Sequence, residues 1–413
     1  MYRELIREFL QDLNAHRTRA VLTFVAITWG TIAVVLLLSF GEGLGNQMMS
    51  GLVNAGNRIM ILYGGETGIP FEGSPKGRPI RMVEEDAEML QRAIPAIAMV
   101  SPQYREFVRL TNGRTSTSTE CEGVNAAFEE MRRMYPIAGG RFLNDVDVAK
   151  QRRVLVVGHE LAAELFGPVD PIGRQVLLDD IPFTVIGVLQ KKLQTSMNNG
   201  PDSRRAIIPY TTFRTMKGPT IVNSIVVRPV DPSMQAEVKR EIFRVLARKY
   251  HFDPTDERTL FIWDFIENEK MSRKIGTGVA IFLFAVGALT LVTAGVGVAN
   301  VMYVVVKERT HEIGIRMAVG ARRSYIMVQF VGEALFIAFL GGLLGILISW
   351  AVISGVRLIP SEEGAMEFLG KPILSASTMI LTAGILAFIG LMAGFFPARK
   401  AATVDPVESL RYE

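Results

Sequence analysis

The sequence predicts a membrane protein: four transmembrane α-helices and one large extracytoplasmic α+β domain, built of two βαβ lobes with an inserted strand-rich subdomain. Three observations carry that prediction. Apolar runs at 20–40, 276–306, 324–356 and 374–396 are each long enough to cross a bilayer as a helix, which takes about 20 residues. Residues 56–275, between the first and second runs, are soluble in character and alternate short strand-like and helix-like stretches. The polar segments outside the runs divide by charge. There are four Lys/Arg in 1–19, five in 307–323 and three after Pro397, whereas 357–373 has only Arg357 and Lys371 against Glu362, Glu363 and Glu367. Basic segments stay on the cytoplasmic side. Both termini and the 307–323 connector are therefore expected inside, with 56–275 outside, in the cytoplasmic (inner) membrane.

In chain order, residues 2–19 place Tyr2, Leu5, Ile6, Phe9, Leu10 and Leu13 at helical spacing among mixed charges. That is an amphipathic helix for the inner membrane face or for packing on the protein's own spans. The first span follows. Acidic residues precede it and no small-x-small site follows it, so it reads as an uncleaved helix rather than a signal peptide. Leu44, Met48 and Leu52 extend its pattern as a stalk over 41–55. Strand 58–63, helix 83–93 and strand 97–104 form the first βαβ unit; strand 223–229, helix 232–250 and strand 260–263 form the second. Residues 56–104 and 222–254 are thus expected to make the two-lobed part. The inserted part, 105–221, has a hairpin signal at Thr111-Asn112-Gly113 and further strands at 153–157, 175–178, 183–189 and 205–209. Stretches 64–81 and 190–203 read as exposed loops. Residues 255–275 lead without a breaker into the second span and read as a second stalk helix. The fourth span ends before Pro397, with 397–413 as a charged tail.

Composition narrows the function. A net charge of +4 on 45 basic and 41 acidic residues is too balanced for nucleic-acid binding. A single cysteine, Cys121, and four scattered histidines exclude an intrachain disulfide, a Cys-based zinc site and a His-rich metal cluster. No G-x-x-x-x-G-K-[ST] occurs, so these residues do not cradle nucleotide phosphates. His311-Glu312 opens like a zinc-protease motif, but Ile315 stands where the second ligand belongs. No catalytic residue or resident cofactor is expected. Glu333 is the one acid inside a span and is suspect by position, either as a hydrogen-bonded structural group or as a proton relay. Gly287, Gly295, Gly341, Gly345, Gly390 and Gly394 offer small-residue faces, for packing within the chain or for a dimer seam.

The connector K-E-R-T-H-E-I-G-I-R-M-A-V-G-A-R-R (307–323) has Ile313, Met317 and Ala321 at helical spacing beside five basic residues, the make-up of a surface helix with one face offered to a partner. This run, with Pro397-Ala398-Arg399-Lys400-Ala401-Ala402 and Asp405-Pro406-Val407-Glu408-Ser409-Leu410-Arg411, resembles the MacB/FtsX-like ABC-transporter permease family. The first span and L-F-G-P-V-D-P-I-G-R-Q-V (165–176) are also similar, so the likeness covers nearly the whole chain. Met317, His311 and Ser409 depart from the family pattern.

The resemblance implies a permease subunit of a MacB-like export system that is not itself an enzyme. ATP and Mg would be bound by a separate ABC ATPase subunit, since only about 19 residues precede the first span, where MacB itself carries its ATPase domain. It also implies that 307–323 is a coupling segment, with Glu308, Arg309, Glu312 and Arg316 as polar contacts, Ile313 and Met317 as the apolar anchor, and Gly320 at its end. A second permease copy, most simply making a homodimer, is a further implied partner. So are a periplasmic adaptor protein, meeting loops 64–81 and 190–203, and an outer-membrane exit duct. The two βαβ lobes resemble the family's porter domain. A lipoprotein-releasing permease and an FtsX-like regulator of a cell-wall hydrolase are the alternatives.

Overall fold

The computed structural model describes residues 17–113, 115–194, 200–218, 221–359 and 370–403. The chain divides into two units, Met48–Arg273 and the residues on either side of it. Helix α1, Arg17–Ala55, contains the predicted first span and stalk as one 39-residue helix. All but the last three residues of the amphipathic helix expected at 2–19 lie outside the described residues.

The soluble unit follows as β1 (Met60–Gly64), α2 (Glu84–Ala93), β2 (Ile97–Asn112), β3 (Thr115–Val124), α3 (Phe128–Arg132), α4 (Asp145–Ala149), β4 (Val154–Val157) and α5 (His159–Phe166). It continues with β5 (Gln175–Leu178), β6 (Ile181–Val188), β7 (Ala206–Pro209), α6 (Tyr210–Lys217), β8 (Ser224–Pro229), α7 (Gln235–Tyr250) and β9 (Leu260–Asp264). The two βαβ units, β1–α2–β2 and β8–α7–β9, interleave their strands in the order β9-β1-β8-β2. Every neighbouring pair is antiparallel, with Leu62 opposite both Ile225 and Ile262. This is the split-βαβ arrangement of ferredoxin-like folds.

β2 belongs to two sheets. Its first half pairs with β8, while Tyr104–Asn112 pairs with β3. Leu110 and Thr111 also pair with β5, closing a ring in the order β2-β3-β7-β4-β6-β5. The boundary expected between 104 and 105 therefore falls inside one 16-residue strand: no turn residue interrupts the chain there, and pairing changes partner instead of stopping. The inserted part also carries α3 to α6, four helices of five to eight residues. Such helices are too short to show a 3.6-residue period. A capping box starts α4: Asn144 Oδ1 accepts from the Asp147 N–H at 2.9 Å, and Asp147 Oδ2 accepts from the Asn144 N–H at 3.1 Å.

One apolar core joins both sheets to α2, α5 and α7 through residues such as Leu62, Leu90, Leu161, Phe183 and Leu246. A second gathers the end of α1 at Ala55 with Phe128, Met131, Val156 and Phe265. Loop 190–203 is no free tip where it is described. The Lys192 ammonium donates to the carbonyl oxygens of Asn54 at 2.9 Å and Arg132 at 2.7 Å, and pairs with Asp202 at 2.8 Å.

The remaining helices are α8 (Phe265–Glu308), α9 (Thr310–Ala318), α10 (Arg323–Arg357) and α11 (Ala376–Ala402). Among the described residues, α1, α8, α10 and α11 are long and apolar enough to cross a membrane. The stalk expected from 255 starts later, because 260–264 is strand β9. Asp264 then caps α8, its Oδ1 accepting from the N–H groups of Ile266 at 2.9 Å and Glu267 at 3.0 Å. The two-lobed part accordingly runs to Asp264 rather than to 254. Pro397 does not end the fourth helix, which continues to Ala402. Ala398 and Ala401 are fully buried in the helical unit's core, and that packing holds the last turns despite the missing N–H. Most of the expected tail, 404–413, lies outside the described residues.

Candidate coupling site

The connector is a single short helix between two stops. α8 ends at Glu308, and the Thr310 hydroxyl donates back to the Val306 and Lys307 carbonyls at 3.0 and 2.9 Å. α9 closes on a Schellman turn: Gly320 N–H donates to Met317 O and Ala321 N–H to Arg316 O, both at 3.0 Å. Gly320 has φ +100°, a conformation that glycine adopts without a Cβ penalty. Arg322 is extended, and α10 begins at the next residue.

A polar chain ties α9 and the end of α8 to α10. Arg309 Nη1 lies 3.4 Å from Glu333 Oε1. Gln329 Nε2 donates to the same oxygen at 3.3 Å, and Arg316 Nη1 donates to Gln329 Oε1 at 3.2 Å. Arg316 also pairs with Glu312 one turn away. The intramembrane acid thus has a cationic partner supplied by the connector, and Gln329, which sequence reasoning missed, links Arg316 to Glu333. A residue four positions before Glu333 on the same helix face was the available clue.

The structure corrects the apolar anchor. Ile313 is 3% exposed and belongs to the core of its own helical unit, with Met317 packed against that core. Neither side chain of this pair projects from the unit as an anchor must. The apolar groups presented here are Ile315 on α9, 43% exposed, and its C-cap residue Val319, 84% exposed. Both pairs have i, i+4 spacing, so periodicity located two faces without saying which turns inward. Glu308, Glu312 and Gly320 are exposed, whereas Arg309 and Arg316 are half-buried in the polar chain.

The six glycines mark contacts between helices of this one chain. A Cβ at Gly287 would lie 2.9 Å from Val34, one at Gly341 2.8 Å from Ile27, and one at Gly345 2.6 Å from Thr31. Those neighbours all lie on α1. A Cβ at Gly390 would lie 2.9 Å from Ala338 and one at Gly394 2.7 Å from Ala334, both on α10, while Gly295 abuts Ile389 of α11. Of the two readings open from sequence, packing within the chain accounts for all six.

Together these features define a multi-pass membrane protein. Its first two spans bracket a large sheet domain, and its second and third spans are joined by a clamped surface helix. Residues 20–245 match the MacB-like periplasmic core domain, and residues 284–406 match the FtsX-like permease C-terminal region. The chain belongs to the MacB/FtsX-like permease family, and its large domain is the external one.

The chain is 34% identical to the macrolide export ATP-binding/permease protein MacB of Bordetella avium, over 99% of this chain and 60% of that protein. It is 32% identical to the pyoverdine export ATP-binding/permease protein PvdT of Pseudomonas syringae pv. tomato, over 96% of this chain and 58% of that protein. It therefore spans about three fifths of the length of these relatives. Among solved structures, it resembles the periplasmic region of MacB from Actinobacillus actinomycetemcomitans, at 21% identity and a TM-score of 0.43. That likeness covers 54% of this chain and 94% of the other.

Proposed function

We propose that this chain is the membrane component of an ATP-driven export system, converting movement at the connector into movement of the external domain. A separate ABC ATPase subunit would bind ATP and Mg and seat on α9 from the cytoplasm, with both termini on that side. Contact falls to Glu308, Glu312, Ile315 and Val319, while Arg309 and Arg316 transmit it to α10. The observation that carries this reading is the clamp itself. A surface helix whose buried face is locked by Arg309–Glu333 and Arg316–Gln329 moves its neighbouring span when pushed, as a loose basic loop does not. The first two spans, α1 and α8, are unbroken helices that begin or end in the soluble unit, which suits mechanical transmission. A second copy of the chain, a periplasmic adaptor and an outer-membrane duct complete the assembly. Exported cargo is read by analogy with the macrolide and pyoverdine exporters among its relatives.

The test is co-purification of the nucleotide-binding subunit from native membranes. Glu312→Arg and Val319→Asp should each remove it while leaving membrane insertion intact. Gly320→Trp, which also strains the turn, should do the same. Undiminished capture by all three would contradict the reading.

A further inference from the structure

The external domain buries a cluster of seven ionisable side chains beside the second apolar core: Arg105, Glu120, Glu122, Arg132, Lys192, Asp202 and Arg205. β3 places it there by alternation, since Cys121 turns into the first core while Glu120 and Glu122 turn to the opposite face. Arg105 Nε lies 3.2 Å from Glu120, Arg205 pairs with Glu122 and lies 3.7 Å from Glu120, and Arg132 Nη2 lies 3.1 Å from Asp202. Lys192 and Arg205 also reach Asp202, at 2.8 and 3.5 Å.

Two features do not balance. The cluster sets four cationic groups against three carboxylates. Arg132 is fully buried, yet its Nε and Nη1 meet no acceptor, and Arg105 Nη2 is in the same position. A buried charge without a counter-charge destabilises the fold, and each buried N–H without an acceptor adds to that cost. Protonating a carboxylate would worsen the excess. Burial pushes the Lys192 ammonium pKa down against the pull of Asp202, but losing that proton, though it would remove the excess, would still leave the guanidinium N–H groups bare. Glu120 Oε2 and Glu122 Oε2 also lack a donor, but the first faces the Arg205 guanidinium and the second belongs to a carboxylate that Arg205 holds through Oε1.

We propose that this cluster is a binding site for a small inorganic anion of the halide class, held by the unpartnered N–H groups of Arg132 and Arg105. One spherical acceptor supplies both the missing charge and the missing acceptors, which a neutral donor–acceptor such as water supplies only in part. The anion ties β2 to the end of α3, so its binding stabilises the external domain.

The experiment is chloride-35 NMR line broadening on the full chain purified in a chloride-free neutral detergent, titrated with sodium chloride at ionic strength fixed by gluconate. Saturable excess broadening that bromide competes away is expected for the native protein. Arg132→Met should weaken it about tenfold, the scale of one charge-assisted hydrogen bond. Arg105→Lys keeps the charge and loses the fork, so it reads the site even if Arg132→Met does not fold; it too should weaken the broadening. No saturable broadening in the native protein overturns the proposal, as does broadening unchanged in Arg105→Lys.

Discussion

Arg309 and Glu333 stand 3.4 Å apart across the connector, each side chain 13% exposed. The carboxylate belongs to α10, and the guanidinium to the residue between α8 and α9. The pair therefore fixes where the surface helix sits relative to the third span. Removing one member of a mostly buried pair strands the other, whereas removing both does not. Arg309→Met should thus lower the thermal stability of the detergent-solubilised chain more than Arg309→Met/Glu333→Gln does. The coupling expected from a double-mutant cycle is about 1–3 kcal/mol. Additive losses would show that the pair holds nothing.

Glycine packing gives a paired prediction within one helix. Gly345 faces α1, where an added Cβ would also come within 2.9 Å of the Thr28 carbonyl, while Gly355 meets nothing within 4 Å. Gly345→Val should cost about 1–3 kcal/mol by overpacking and broaden thermal unfolding of the chain in detergent. Gly355→Val should leave the transition where it was.

Lys192 predicts local rather than global loosening. Its ammonium sits at the C-terminal carbonyls of α1, a position that also suits the helix dipole. Lys192→Met leaves Asp202 its two arginine partners but strips the Asn54 and Arg132 carbonyl oxygens of their donor, at a cost of about 1–3 kcal/mol. Amide exchange should accelerate at Asn57, which donates to Met131 O, and at Met134. Exchange at β1, in the centre of its sheet, should change least.

Acid sensitivity follows from Asp147. Burial alone would raise its carboxyl pKa, but hydrogen bonds from Arg141, the Asn144 N–H and Arg152 outweigh burial and hold it below the usual carboxylate range. A depressed carboxyl contributes stability that is complete above its unfolded value of about 3.9 and is lost as pH falls through the folded one. The native chain should therefore lose stability from about pH 4 downward more steeply than Asp147→Asn does. Parallel curves for the two proteins would exclude this carboxylate as a source of acid sensitivity.

Long, strongly patterned features were legible in the sequence. Runs such as 276–306 span a bilayer by length alone, and the strand at 175–178 matches β5 to the residue. Misreadings came where pairing or packing decides. β2 continues through 104 because two sheets share it. Pro397 stays helical because Ala398 and Ala401 are buried beside it. Ile313 and Ile315 are two positions apart on one amphipathic helix, and only the tertiary fold says which is core. The buried ionic cluster left no sequence signal, since its members lie between residues 105 and 205 with no common spacing.

The central claim, that α9 is where the driving subunit acts, is tested most directly by a photocrosslinking amino acid at Val319 in native membranes. An adduct with the nucleotide-binding subunit is expected there, its yield changing when ATP is added. No such adduct is expected from the same probe at Phe107, an exposed side chain of the external domain. An adduct with that subunit from Phe107 and none from Val319 would contradict the claim.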